Sequence, residues 1–199
     1  MEVVPSRGYR LDVRPYPISL DEVKGTMSYL RERHRLYYLV YRLMLEGGLR
    51  LSHALYLIET YSPRELVEIP GVWMETTRLV CFKDKGFCRY YVGLRGHSKP
   101  CEWVYFSLET LMLLKEHAGL RINRRPLEKY VRSHGLLQPK YMRKVAWRIM
   151  IRIMSREVVR FIQSRLGELK ISEARYEDLL GEADYYPEHL KPLSQQVHG

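Results

Sequence analysis

The sequence predicts a mainly α-helical domain of the α+β class, a helical bundle carrying a small three-stranded antiparallel sheet. Three observations predict it. Apolar residues recur at helical spacing before residue 60 and again after residue 108. Between those regions lie three short runs rich in Val, Tyr and Phe, separated by two turn-like segments. The chain has 199 residues, enough for one core with short extensions. Residues 1–17, rich in Pro and Arg, read as an N-terminal arm. Residues 18–180 read as the domain, and 181–199 as a C-terminal tail.

Each element has a local cause. Ser19 is a suitable cap for a helix that opens Leu20-Asp21-Glu22, where acidic groups meet the positive helix end. That helical pattern runs to Glu46 with a bend expected near residues 31–35. Gly47-Gly48 stops it, since glycine adopts the left-handed cap conformation readily. Leu51, Ala54, Leu55 and Ile58 start a new helix, and Pro63 marks its exit. Strands follow at 78–82, 87–94 and 102–107. Two short turns between them imply an antiparallel meander. Helices resume at 108–117, 126–133, 139–154, 156–166 and 172–180. Lys144, Arg148, Arg152, Arg156 and Arg160 are spaced by four, but Ser155 is a plausible cap, so two helices are expected rather than one continuous basic stripe.

Charge is distributed unevenly. The net charge is +10. Residues 81–166 hold 19 basic and 6 acidic groups, whereas 167–199 hold 3 and 7. A basic middle of this kind is the electrostatic footprint of a polyanion, and DNA or RNA is favoured over a lipid surface. Asn123 is the sole asparagine, and such amide depletion is typical of proteins that work hot.

Several classes are excluded. No apolar run reaches the ~18 residues of a membrane span, and the N-terminus lacks a signal-peptide layout. The chain reads as soluble and cytoplasmic. Cys81, Cys88 and Cys101 are odd in number and form no CxxC pair, so neither a disulfide framework nor a zinc knuckle is expected. The seven histidines show no metal-ligand spacing, and no phosphate loop, dinucleotide fingerprint or GxSxG elbow is present. No metal or other cofactor is expected. The reactive inventory is Arg, Lys, His and 16 tyrosines. It suits metal-free phosphoryl transfer: arginine forks bind non-bridging oxygens, a lysine protonates a leaving oxygen, and a tyrosine attacks phosphorus.

A resemblance sharpens this reading. Glu46-Gly47-Gly48-Leu49-Arg50-Leu51-Ser52-His53 resembles the first arginine motif of tyrosine recombinases, the phage-integrase family, with His53 closest to archaeal virus and plasmid members. Lys99 falls in the second turn of the meander, where the family carries a lysine; Lys83 and Lys85 are rivals in the first turn. Lys140-Tyr141-Met142-Arg143 resembles the family's [His/Lys]-x-x-Arg box, and Lys129-Tyr130-Val131-Arg132 is a second match. Residues 161–165 with Ala174-Arg175-Tyr176-Glu177-Asp178-Leu179 resemble the C-terminal box. The resemblance spans residues 18–190 in the family's order.

The resemblance implies a catalytic domain that cleaves and rejoins double-stranded DNA at an attachment site. Tyr176 would be the nucleophile, with Tyr185 and Tyr186 as neighbouring competitors. Arg50 and Arg143 would clamp the phosphate and Lys99 would protonate the leaving oxygen. Lys140 and Arg165 would position charge, and His53 would support them. It also implies a tetramer on DNA and a monomer or weak oligomer off it. Arg121, Arg124, Arg125, Lys129, Arg132 and Lys144 are the expected contacts to DNA phosphates, with salt-sensitive binding. Two other readings share these features: a non-catalytic DNA-binding protein or degenerate integrase fragment, and a type IB topoisomerase-like relaxase.

Overall fold

Two hydrophobic cores sandwich one small sheet. The computed structural model describes residues 17–68, 75–94, 100–165 and 173–198; the side chains of Glu75, of residues 173–177 and of Asp184 lie outside that description. The first layer begins with α1 (Leu20–Arg33) and α2 (Arg35–Glu46), broken at His34, whose extended φ of −156° interrupts the helical ladder. Ser19 closes a full capping box with Glu22. The expected bend is therefore a break between two helices. α3 (Leu51–Thr60) follows the Gly47-Gly48 turn.

The meander forms as expected. β3 (Leu79–Phe82), β4 (Phe87–Leu94) and β5 (Cys101–Ser107) pair antiparallel in sequence order. A second hairpin, β1 (Leu66–Glu68) with β2 (Glu75–Thr77), was not anticipated; its strands are three residues each, too short for a period to register. Alternation along β4 and β5 divides the cores. Cys88, Tyr90, Val92, Val104 and Phe106 face the core shared with α1, α2 and α3, while Phe87, Tyr91, Trp103 and Tyr105 face the C-terminal helices. Burial on both faces explains why these strands read as continuous apolar runs.

The cysteine expectation needs correction. Cys81 stands directly opposite Cys88 in the β3–β4 register, and their sulfurs are bonded as a disulfide. The parity argument counted cysteines but not their register across a four-residue turn. Cys101 remains a free, buried thiol.

Helices α4 (Leu108–His117), α5 (Arg124–Ser133), α6 (Pro139–Met150), α7 (Arg156–Ile162) and α8 (Glu173–Glu182) complete the domain. The break between α6 and α7 is real: the Ser155 side chain accepts from the Val158 N–H. The segment after Glu182, read from sequence as a C-terminal tail, is helical. α9 (Tyr186–Leu193) and a π-helical turn (Ser194–His198) fold back onto α1 and α2. No helix among the described residues is long and apolar enough to cross a membrane.

The docked C-terminal segment is held by buried polar chemistry. Glu46, 1% exposed, accepts from Arg42, from the Ser107 backbone N–H and from the Thr110 hydroxyl. His198 lies 3.6 Å from the same carboxylate, and the Arg31 guanidinium donates to the His198 carbonyl. His189 donates from Nε2 to the Leu45 carbonyl at 3.3 Å. Burial holds His189 and His198 down to about 4, against the pull of Glu46. Both are neutral when docked. Below the unfolded value of about 6.5 the unfolded chain gains protons that the docked histidines do not. Stability should therefore fall progressively from about pH 6.5 towards pH 4. Thermal melts at pH 7.5 and 5 should show a drop that shrinks in the double variant His189→Gln/His198→Gln. Equal drops in both proteins would contradict this assignment.

Candidate active site

The site begins at the end of α2. Gly47 packs where a Cβ would stand 2.8 Å from the Tyr105 carbonyl oxygen, and Gly48 turns the chain at φ +63°. This tight turn, which side chains would obstruct, delivers Arg50 as the N-terminal cap residue of α3. Its Nη1 is buried with no hydrogen-bond partner. Leu51, Ala54, Leu57 and Ile58 on the inner face of α3 anchor that helix, so Arg50 is held by the core beneath it.

A second arginine arrives from α6. Pro139 starts that helix, and Tyr141, Met142, Val145 and Ala146 bury its inner face. Arg143 lies on its edge. One Nη2 donates to the Gln163 carbonyl at 2.7 Å, and its Nε is buried without a partner. Burial, then the charges of Arg50 and Arg165, pull the Arg143 guanidinium down to about 9. A third arginine, Arg165, follows α7. Its guanidinium lies 4.6 Å from the centre of the Trp147 ring. Burial and the charges of Arg50 and Arg160 lower its pKa as well.

Arg50, Arg143 and Arg165 thus converge from three separate elements and repel one another. Among the described residues no carboxylate pairs with any of them. Gathering like charges without a counter-charge is costly in a folded protein. The arrangement can bind an anion with oxygens in several directions, as a phosphodiester has. The Cys101 thiol lies beside the cluster. Burial pushes it up to about 11, despite its hydrogen bond to Ser164 and the fields of Arg50 and Arg143.

The cluster opens into a cleft of about 740 Å³. Arg50, Arg143, Lys140, Arg124 and Arg132 line it, with Glu128 as its one carboxylate among the described residues. Arg124, Glu128 and Arg132 share one face of α5, and Arg124 Nε lies 2.8 Å from Glu128. Lys140 and Lys144 place their ammonium groups 5.1 and 5.6 Å from the centre of the Tyr141 ring.

The expected residues divide clearly. Arg50, Arg143 and Arg165 come together, and Lys140 joins Arg50 and Arg143 at the cleft. Of the two Lys-x-x-Arg matches, the one on α6 supplies a member of the cluster, while Arg132 of the other lines the cleft wall. Arg124 and Arg132 face the cleft; Arg125, Lys129 and Lys144 are exposed outside its lining. Arg121 is exposed before α5, 3.8 Å from Glu59. His53 is buried one turn into α3. Lys85 lines a different groove, beside Arg42 and Pro187. Lys99 lies outside the described residues. Tyr176 falls on α8, which packs against α7, while its side chain lies outside the description. Tyr186 is fully buried, its ring 5.4 Å from those of Phe87 and Tyr105, and Tyr185 is 66% exposed.

Sequence reasoning missed Trp147 and Gln163. Trp147 stands four residues after Arg143, so a helical projection places the two on one face. Gln163 is an amide directly after the mostly apolar run Val158-Val159-Arg160-Phe161-Ile162, and that position was the signal for its burial. Among the described residues, no group of three or more His, Cys, Asp or Glu side chains gathers as a metal site.

Comparison with known proteins agrees with this geometry. No curated protein matches the chain significantly. A profile of the archaeal phage integrase family matches residues 15–191, covering the arginine cluster, the sheet and the C-terminal helices. The chain belongs to the archaeal phage integrase family.

Proposed function

We propose that this integrase is a tyrosine recombinase that cleaves and rejoins DNA through a 3′-phosphotyrosine, without metal or ATP. One observation carries the reading: three guanidiniums converge, without a paired carboxylate among the described residues, and two of them, Arg50 and Arg143, line a basic cleft. Membership of an integrase family makes DNA the polyanion. The phosphodiester is the DNA group that such a cluster fits.

In this mechanism the Tyr176 hydroxyl oxygen attacks phosphorus and gives up its proton to solvent water. The bond from phosphorus to the 5′ oxygen breaks as the phosphotyrosine bond forms. Lys99 protonates the departing 5′ oxygen. Its assignment is supported by chain position, two residues before Cys101, whose thiol lies beside Arg50 and Arg143. Arg50 and Arg143 hold the non-bridging oxygens, whose charge grows in the transition state. Arg165, steadied on Trp147, and Lys140 add fixed positive charge. His53, buried on the inner face of α3, supports Arg50. The placement of Tyr176 on α8, beside the α7 element that delivers Arg165, supports its role as nucleophile. Reversal of the same step with a 5′ hydroxyl from another site rejoins the strands, and a tetramer on DNA would present four such sites together.

Covalent capture tests the reading. End-labelled nicked duplexes and supercoiled plasmid are incubated in EDTA with the native chain and with Tyr176→Phe. A protein-linked band in the native lane alone is expected. DNA retention without a covalent band on any substrate would favour a binding-only protein, and a band that persists in Tyr176→Phe would move the nucleophile, Tyr185 being the exposed rival.

Arg50→Ala separates clamping from simple attraction. Single-turnover cleavage should fall by roughly 100-fold or more, because the contact strengthens in the transition state. Affinity for a duplex at fixed salt should change by only a few fold. Equal losses in rate and affinity would reduce Arg50 to a binding group.

A further inference from the structure

The geometry points to Gln163 as a positioning residue that fixes the spacing of the arginine cluster, an inference that rests on the phosphodiester reading of that site. Gln163 ends α7 and is 1% exposed, surrounded by the buried Val159, Phe161 and Ile162. Its amide is poorly satisfied there. Nε2 makes one weak contact to the Met150 sulfur at 3.9 Å, and Oε1 is buried with no partner. Stability alone would favour an apolar residue of the same volume at such a position.

Three connections give the residue another use. Its backbone carbonyl receives Arg143 Nη2. Its side chain fills the space above Gly48, where an added Cβ would collide with Cγ, Cδ and Nε2. The chain then turns at Ser164, a non-glycine residue at φ +51°, and presents Arg165 to Trp147. One residue therefore touches the turn that delivers Arg50, bonds the side chain of Arg143 and precedes the strained turn that delivers Arg165. The side chain acts as a wedge between the Gly47-Gly48 turn and α6, and its loss lets the Arg50 turn settle towards Arg143. A misplaced guanidinium costs rate more than affinity, because the transition state is more demanding of geometry than encounter is.

The test is a double-variant cycle between Gln163 and Gly48, read with the full chain. Gln163→Ala should lower single-turnover cleavage about 10- to 100-fold while duplex affinity stays within about twofold. Gln163→Met keeps the bulk without the amide and should stay within about threefold of native, which guards against a merely unfolded Ala variant. Gly48→Ala should lose more than about 100-fold, since it both strains the turn and strikes Gln163. The double variant Gly48→Ala/Gln163→Ala should then cleave at least about fivefold faster than Gly48→Ala alone, a rescue that general destabilisation does not produce. Losses that simply multiply, or a Gln163→Ala rate within twofold of native, would overturn the assignment.

A second arm keeps the two readings apart. Inorganic phosphate is titrated against the Arg143 Nε–H resonance in the native chain, in both single alanine variants and in the double variant. Gln163→Ala should bind phosphate about threefold more weakly, a loss smaller than that in cleavage rate, with partial recovery in the double variant relative to Gly48→Ala. Phosphate affinity equal across all four proteins would overturn the positioning role. If the native chain binds phosphate in this pattern but forms no covalent product, the cleavage reading fails and the positioning role stands.

Discussion

Everything near the site is built around one buried carboxylate. Glu46 ends α2, and its two oxygens collect Arg42, the Ser107 N–H and the Thr110 hydroxyl, with His198 alongside. Burial opposes its ionisation, but Arg42 leads the partners that hold its pKa below the usual carboxylate range. Arg42, for its part, is kept charged against burial mainly by Glu46. A buried ion pair contributes to stability only when its remaining lone pairs are met, and here they are met from three elements. The carboxylate thus ties α2 to the junction of β5 and α4, and the returning C-terminal segment closes over it. The next two residues are the glycines whose turn aims Arg50.

The contrast with the arginine cluster is the functional argument. Two charged groups of opposite design stand within a few residues of each other along the chain. Around Glu46 the charges cancel, and the region is closed. Around Arg50, Arg143 and Arg165 they add, buried nitrogens lack partners, and the region opens into a basic cleft. A fold that spends stability on repulsion in one place and removes it in another is organised for an anionic ligand. Membership of an integrase family makes that ligand DNA. The two cores give the cluster its rigidity, since α3, α6 and α7 each reach it from a buried face.

What the sequence revealed is what local chemistry controls. The Ser19 cap, the Gly47-Gly48 stop, the meander and the Ser155 break follow from residues within a few positions of each other, and the structure has them all. Arg50, Arg143 and Arg165 were legible as motif positions, because each lies in a short run that resembles a family box. What escaped depends on contacts between distant segments. The Cys81–Cys88 bridge needed the strand register. The docking of His189 and His198 needed the end of α2, Leu45 and Glu46, more than 140 positions away in sequence. An acidic C-terminal stretch reads as solvated until its partner is known. Gln163 escaped because its importance lies in what it touches, Gly48 and Arg143, rather than in its own chemistry.

Thermal stability in different anions tests most directly whether the arginine cluster, which has no paired carboxylate among the described residues, is an anion site. Melting temperatures are compared in sodium phosphate and sodium chloride at matched ionic strength and pH, for the native chain and for Arg143→Ala. A ligand that binds only the folded state raises stability by mass action, so phosphate should raise the native melting point by several degrees above chloride. Arg143→Ala should start from an undiminished or higher melting point in chloride, having lost a repelling charge, and should gain little from phosphate. A native protein indifferent to the anion, or an equal phosphate gain in Arg143→Ala, would contradict the account.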